Sequence, residues 1–157
     1  LVPRHQERFG PMFQLCAQQG FATVRRSSGE PVTAQTSVLL GDTMGELLFL
    51  YALADSAFVG GSLVPTGGHN PLEPAALAKP VIMGPHLFNF LEISAMMREA
   101  GALREVDDAQ GLAEAVRQLF ELPQDAHKMA KAGLAVMQAN QGALKRLLDG
   151  LDRLLKH

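Results

Sequence analysis

The residues best suited to chemistry lie in one stretch, Gly60-Gly61-Ser62-Leu63-Val64-Pro65-Thr66-Gly67-Gly68-His69-Asn70-Pro71-Leu72-Glu73-Pro74, a glycine-rich loop that follows an apolar run and leads into a helix start. Glycines let a backbone approach a ligand without Cβ clashes, and a helix start offers unpaired N–H groups and a partial positive charge. Such a junction suits phosphates and sugars. The eleven residues between Val59 and Pro71 exceed the roughly 2–6 usual for a strand-to-helix loop, a length that is commonly functional. An exposed carboxylate, of Glu46 or of Glu73, could accept hydrogen bonds from a ribose diol, as the acidic residue of dinucleotide-binding folds does.

The same grammar occurs three times. Thr43-Met44-Gly45-Glu46, Asn70-Pro71-Leu72-Glu73 and Asn89-Phe90-Leu91-Glu92 each place a capping residue three positions before a glutamate, and the second adds a proline at N1. Each reads equally well as a capping box with no ligand. Gly45 tilts the first toward a ligand: inside a first helical turn it would cost about 1 kcal/mol relative to alanine, which suggests that something approaches the backbone there. Arg4 and His5 would add positive charge for an anion, a solvated loop being the alternative. The Gly-x-Gly-x-x-Gly and Gly-x-x-x-x-Gly-Lys-Ser/Thr fingerprints are absent, which lowers the nicotinamide and triphosphate readings. No Cys/His spacing suggests a metal, and none of the five histidines pairs with another at i, i+4.

These residues need a frame. Leu1-Val2 reads as the end of a strand, and Pro3-Arg4-His5 as the loop into a helix over 7–19 closed by Gly20. A strand at 21–24, a polar loop at 25–36 and a strand at 37–40 follow. Then a unit of strand, glycine and helix repeats: 37–40 into a helix at 44–54, 57–59 into a helix at 71–77, and 81–83 into a helix near 90–100. A short strand at 103–106 precedes helices at 109–122, 125–139 and 142–156. Short apolar strands alternating with helices predict an α/β fold, a doubly wound, mostly parallel sheet with extra carboxyl-terminal helices. In such a sheet the loops that follow the strands open onto one crevice.

With 157 residues, 47% of them apolar, the chain is long enough for one domain with a substantial core. A net charge of −2 provides no basic field and argues against a nucleic-acid partner. The single cysteine, Cys16, excludes a disulfide framework and reads as a buried small hydrophobe, in keeping with a reducing compartment. No apolar run reaches the 18 or so residues of a membrane span, so the chain as given is expected to be soluble. The stripe Leu144, Leu147, Leu148, Leu151, Leu154 and Leu155 predicts core packing, with self-association through the last helix as the alternative.

The motifs Pro3-Arg4-His5, Gly41-Asp42-Thr43-Met44-Gly45-Glu46, Gly60-Gly61-Ser62, Gly67-Gly68-His69-Asn70-Pro71-Leu72-Glu73, Gly84-Pro85-His86 and Asn89-Phe90 closely resemble, in the same order and over almost the whole chain, the carboxyl-terminal half of bacterial 3-deoxy-D-manno-octulosonic acid (Kdo) transferases. The resemblance implies a Rossmann-like half of a GT-B glycosyltransferase, with residues 1–157 forming the domain that binds the donor CMP-Kdo. It implies that the amino-terminal half is absent, and with it the acceptor site for the lipid A precursor (lipid IVA), the membrane anchor and the glutamate general base. No catalytic residue is then expected in this chain. Carried over residue by residue, the CMP contacts would be Pro3, Arg4, Met44, Gly45, Glu46, Asn70, Pro71, Leu72 and Glu73, with Gly67, Gly68 and His69 nearer the sugar.

The resemblance further implies inverting Kdo transfer in lipopolysaccharide biosynthesis, at the cytoplasmic face of the inner membrane, with no cofactor and no metal. The chain alone is expected to bind CMP weakly and to transfer nothing. Two rival readings stay open at this point: a GT-B transferase or sugar-nucleotide epimerase with a UDP-linked donor, and a nucleotide-binding module without chemistry.

Overall fold

The computed structural model describes residues 1–155, with side chains as far as residue 140. The chain divides into two units, Leu1–Leu50 and Tyr51–His157.

In the first unit a 3₁₀ turn, Gln6–Arg8, runs into helix α1, Phe9–Gln18, which buries Phe9 and Cys16. The helix stops where the sequence places its glycine. Gly20 takes φ +79°, its N–H bonds to the Ala17 carbonyl, and the Phe21 N–H bonds to the Cys16 carbonyl. That pair of bonds is a Schellman cap, which needs a left-handed residue at this point. Strand β1, Thr23–Arg25, lies parallel to β2, Val38–Leu40, with Thr23 opposite Val38 and Arg25 opposite Leu40. The other edge of β2 is taken by Leu1, whose nitrogen donates to the Leu39 carbonyl at 2.9 Å and whose carbonyl accepts from Gly41 N–H at 2.8 Å. This is the alternation of a parallel pair, as expected for Leu1-Val2. It sets Pro3 and Arg4 beyond the carboxyl end of β2, where Gly41 and Asp42 also emerge.

Helix α2, Leu47–Leu53, leads into the second unit. There three parallel strands, β3 (Ala57–Phe58), β4 (Val81–Met83) and β5 (Leu103–Glu105), are ordered β3-β4-β5. Every residue of β4 is fully buried, because its pleat sends alternate side chains to two separate cores. Val81 and Met83 pack with Ala75 of α3 (Leu72–Ala76) and Met97 of α4 (Leu91–Glu99), while Ile82 packs with Ala115 and Leu119 of α5 (Ala109–Glu121). Both faces of the sheet are therefore covered, the doubly wound arrangement expected from the apolar strands. Helix α6, Pro123–Leu155, contributes Ala132 and Val136 to the first core and Met129 to the second.

Three expectations are corrected by the fold. The helices expected at 125–139 and 142–156 are one continuous α6, since a lone Gly142 costs a helix only about 1 kcal/mol, too little to break it. Helix α2 begins at Leu47 rather than residue 44, and α3 begins at Leu72 with Pro71 as its N-cap rather than its first helical residue. The leucine stripe from Leu144 to Leu155 lies outside the residues whose side chains are described.

Helix α3 ends in a Schellman pair that uses an alanine where glycine is normal. Ala78 stands at φ 52°, with Ala78 N–H bonded to Ala75 and Lys79 N–H to Pro74. A left-handed alanine costs about 1–2 kcal/mol, and glycine there costs only its extra chain entropy of about 0.5–1 kcal/mol. Ala78→Gly is therefore expected to stabilise the protein by about 0.5–1 kcal/mol, raising Tm by roughly 1–4 °C in thermal unfolding.

Candidate functional site

In the second unit, the glycine-rich loop after β3 is a folded structure rather than an open cradle. It doubles back so that Gly68 N–H bonds to the Gly61 carbonyl at 2.8 Å and His69 N–H to the Gly60 carbonyl at 3.1 Å, while the Thr66 hydroxyl donates to the Gly61 carbonyl. Its root is held by Ser62, fully buried, whose hydroxyl donates to the Val59 carbonyl at 2.7 Å and accepts from Gly84 N–H at 2.8 Å. The Ser62 carbonyl in turn accepts from His86 N–H at 3.0 Å. Gly84 leaves β4 so close to this root that a Cβ on it would sit 2.5 Å from the Ser62 carbonyl carbon and 2.6 Å from Leu63 N.

The loop delivers Asn70–Glu73 to the surface. Asn70 Oδ1 accepts from Leu72 N–H at 3.0 Å, and its amide reaches the Glu73 carboxylate at 3.5 Å. This Asx turn replaces the reciprocal capping box, because Asn70 bonds two residues ahead rather than three, and Glu73 meets a side chain rather than a backbone N–H. Pro71 is buried and Leu72 packs against the core, so their side chains anchor the turn. Asn70, Glu73 and His69 remain half-buried. Tyr51 belongs to the same neighbourhood: burial, and then the Glu73 carboxylate, push its phenol above the usual value. The carboxylate and amide of this turn, with the phenol of Tyr51 from α2, can take the hydroxyls of a sugar.

Asn89 is not a cap. Phe90 is the N-cap of α4 and no side chain bonds there, whereas the Asn89 amide donates back to the Thr66 carbonyl at 3.0 Å and to the Gly68 carbonyl at 3.4 Å.

In the first unit, Met44, Gly45 and Glu46 precede α2 instead of opening it, and the Glu46 carbonyl accepts from Leu50 N–H at 3.0 Å. Gly45 has a conformational reason to be glycine. Its φ is +82° and a Cβ there would meet nothing within 4 Å. Thr43 and Glu46 meet side chain to side chain, the Thr43 hydroxyl donating to the Glu46 carboxylate. Arg26 Nη2 also donates to Glu46, at 2.9 Å. Pro3 is half-buried and Arg4 exposed.

The residue that sequence reasoning missed is Asp42. Its carboxylate is 1% exposed and accepts from Arg25 Nε at 2.6 Å, from Ser27 N–H at 2.8 Å and from the Ser27 hydroxyl at 2.6 Å. Burial pushes its pKa up, but the Ser27 bonds and the Arg25 guanidinium outweigh that and hold it down at about 2. Arg25 also lies over the Phe13 ring, 5.7 Å from its centroid. The only local hint was a Gly-Asp pair after a strand, since the partners stand 15 and 17 residues earlier in what reads as a polar loop.

A parallel sheet covered on both faces, with structured loops at the carboxyl ends of its strands, defines an α/β fold of the Rossmann type. The profile of the family Glycosyl transferases group 1 matches residues 24–136, and the chain belongs to that family. Within it, the chain is 47% identical to the 3-deoxy-D-manno-octulosonic acid transferase of Haemophilus influenzae, covering 99% of this chain and 37% of that protein. It is 42% identical to the enzyme of the same name from Bordetella pertussis, covering 97% and 36%. Among solved structures, the C-terminal CMP-Kdo binding domain of WaaA from Acinetobacter baumannii matches with a TM-score of 0.84 and 38% identity, covering 87% of this chain and 72% of that one. The likeness to Kdo transferases read from the motifs is thus borne out, and the chain spans little more than a third of the length of the curated relatives it matches. No helix among the described residues is long and apolar enough to cross a membrane.

Proposed function

We propose that this chain is the donor-binding part of a Kdo transferase and binds CMP-Kdo. The observation that carries the reading is the likeness, over 87% of the chain, to a domain described as binding CMP-Kdo. Within the second unit, Glu73 and Asn70 take the ribose hydroxyls, Pro71 and Leu72 hold the turn, and Gly67, Gly68 and His69 stand nearer the sugar. Within the first unit, Pro3, Arg4, Met44, Gly45 and Glu46 contact the donor, Arg4 serving the phosphate as a bidentate cation.

In the reaction proposed for the whole protein, a hydroxyl of the lipid A precursor, lipid IVA, attacks the anomeric carbon of CMP-Kdo. A new C–O bond forms as the bond to the phosphate oxygen breaks, the electron pair leaves with CMP, and the anomeric centre inverts. A base outside this chain takes the hydroxyl proton. Arg4 and backbone N–H groups meet the charge that develops on the leaving phosphate, so the step is metal-independent and CMP affinity is unchanged by a chelator. The setting is lipopolysaccharide synthesis at the cytoplasmic face of the inner membrane.

Titration calorimetry with CMP, UMP and UDP tests this reading. CMP is expected to bind in preference to both uridine nucleotides, and a clear preference for uridine would overturn the assignment. Glu73→Ala removes the diol acceptor and is expected to weaken CMP by about tenfold, while circular dichroism and Tm stay near wild type because the half-buried carboxylate gives up only a long, 3.5 Å bond from Asn70.

A further inference from the structure

Resting on the donor-site reading above, we propose that Asn89 is a positioning residue: it fixes the tip of the glycine-rich loop and thereby sets where His69 and Asn70 stand for the nucleotide. One residue holds three successive loop carbonyls. Its side-chain amide donates to Thr66 and Gly68, and its backbone N–H donates to Gly67 at 3.3 Å. The amide orientation follows from chemistry, since both neighbours of Nδ2 are carbonyl oxygens and only the NH₂ end can serve both. The fit is close on the loop side as well. Gly67, at φ +91°, is the one residue type that leaves room, because a Cβ there would come within 2.5 Å of Asn89 Cγ and 2.6 Å of Phe88 Cε2.

Besides the loop's own bonds from Thr66, Gly68 and His69 to Gly60 and Gly61, two clasps hold it, and they differ in kind. The buried one, Ser62 with Gly84 and His86, secures the root and is part of the core. The outer one has Asn89 and Thr66 exposed over the buried Gly67 and Gly68, and Gly68 passes directly into His69 and Asn70. Loss of the outer clasp releases the tip while the root stays in place. Aspartate is the telling substitution, since it keeps the shape of asparagine but turns carboxylate oxygens toward two carbonyls.

The test compares CMP titrations of the wild-type chain, Asn89→Asp and Asn89→Gln, followed by ¹H–¹⁵N spectra, with thermal unfolding of each. Asn89→Asp is expected to bind CMP about tenfold more weakly, to shift amides within 66–70 and to leave Tm nearly unchanged. Asn89→Gln keeps the donor amide on a longer stem and is expected to recover part of the affinity. If the wild type and Asn89→Asp bind CMP equally, the proposal falls while the donor reading stands. Failure of the wild type to bind CMP overturns the donor reading and this inference with it. Unfolding of both variants would make Asn89 a structural residue and overturn the proposal as well.

Discussion

Replacing Gly84 by alanine is expected to destabilise the second unit by about 3 kcal/mol or more, the upper part of the range for overpacking, and to abolish CMP binding with it. The reason is what the added methyl would meet. Side chains can rotate away from an intruding carbon, but the atoms around Gly84 are the carbonyl of Ser62, its carbon at 2.5 Å, and Leu63 N at 2.6 Å. These are backbone on a loop root that is already bonded twice to the strand end, through Gly84 N–H to the Ser62 hydroxyl and His86 N–H to the Ser62 carbonyl. Relief of the clash requires breaking both bonds and leaving the Gly84 and His86 amides without partners, at about 1–3 kcal/mol for each unmade bond. Urea unfolding measures the first effect and CMP calorimetry in the folded range the second. A variant with wild-type stability would show that the root of the loop can move, and the rigid-turn account of Asn70–Glu73 would fail.

The positions of these elements were legible where local chemistry permits one solution. Val81-Ile82-Met83 between Pro80 and Gly84 can only be a short buried strand, and Gly20 after an amphipathic run can only be a left-handed cap. Legibility ended where one pattern serves two geometries. Thr43-x-x-Glu46 fits a capping box, but it is equally satisfied by a side-chain pair ahead of the helix, and a left-handed Gly45 selects the second. Asn89-x-x-Glu92 has the same grammar, yet Asn89 turns its amide backward to a loop twenty-odd residues earlier, a long-range choice that no local window contains. The break expected near Gly142 failed for energetic reasons, since about 1 kcal/mol against a 33-residue helix does not stop it. The spacing of Asn70 and Glu73 at the end of the loop was readable, while the clasps on that loop were not, because Ser62, Gly84 and Asn89 act through backbone partners.

Asp42 is the case in which long-range chemistry, invisible to the sequence, is expected to have the other large effect. Asp42→Ala should destabilise the first unit by about 3 kcal/mol at neutral pH, since it strands the Ser27 N–H and hydroxyl and leaves Arg25 without its carboxylate. The effect carries a pH signature that a mere packing defect lacks. The folded pKa of about 2 lies below the ordinary value of 3.8, so the folded state favours the ionised form. A depressed carboxyl contributes its stability in full above the unfolded value and loses it as pH falls through the folded one, here between about pH 4 and pH 2. The linked part is on the order of 2 kcal/mol. The stability gap between wild type and Asp42→Ala, measured by urea unfolding, should therefore be constant above pH 5 and narrow below pH 4. Asp42→Asn, which keeps the volume and cannot ionise, should lack that acid-sensitive component. A gap that stays the same from pH 6 to pH 2.5 would mean that Asp42 acts through its shape, and the ion-paired knot with Arg25 and Ser27 would not be what holds the turn leading to Met44–Glu46.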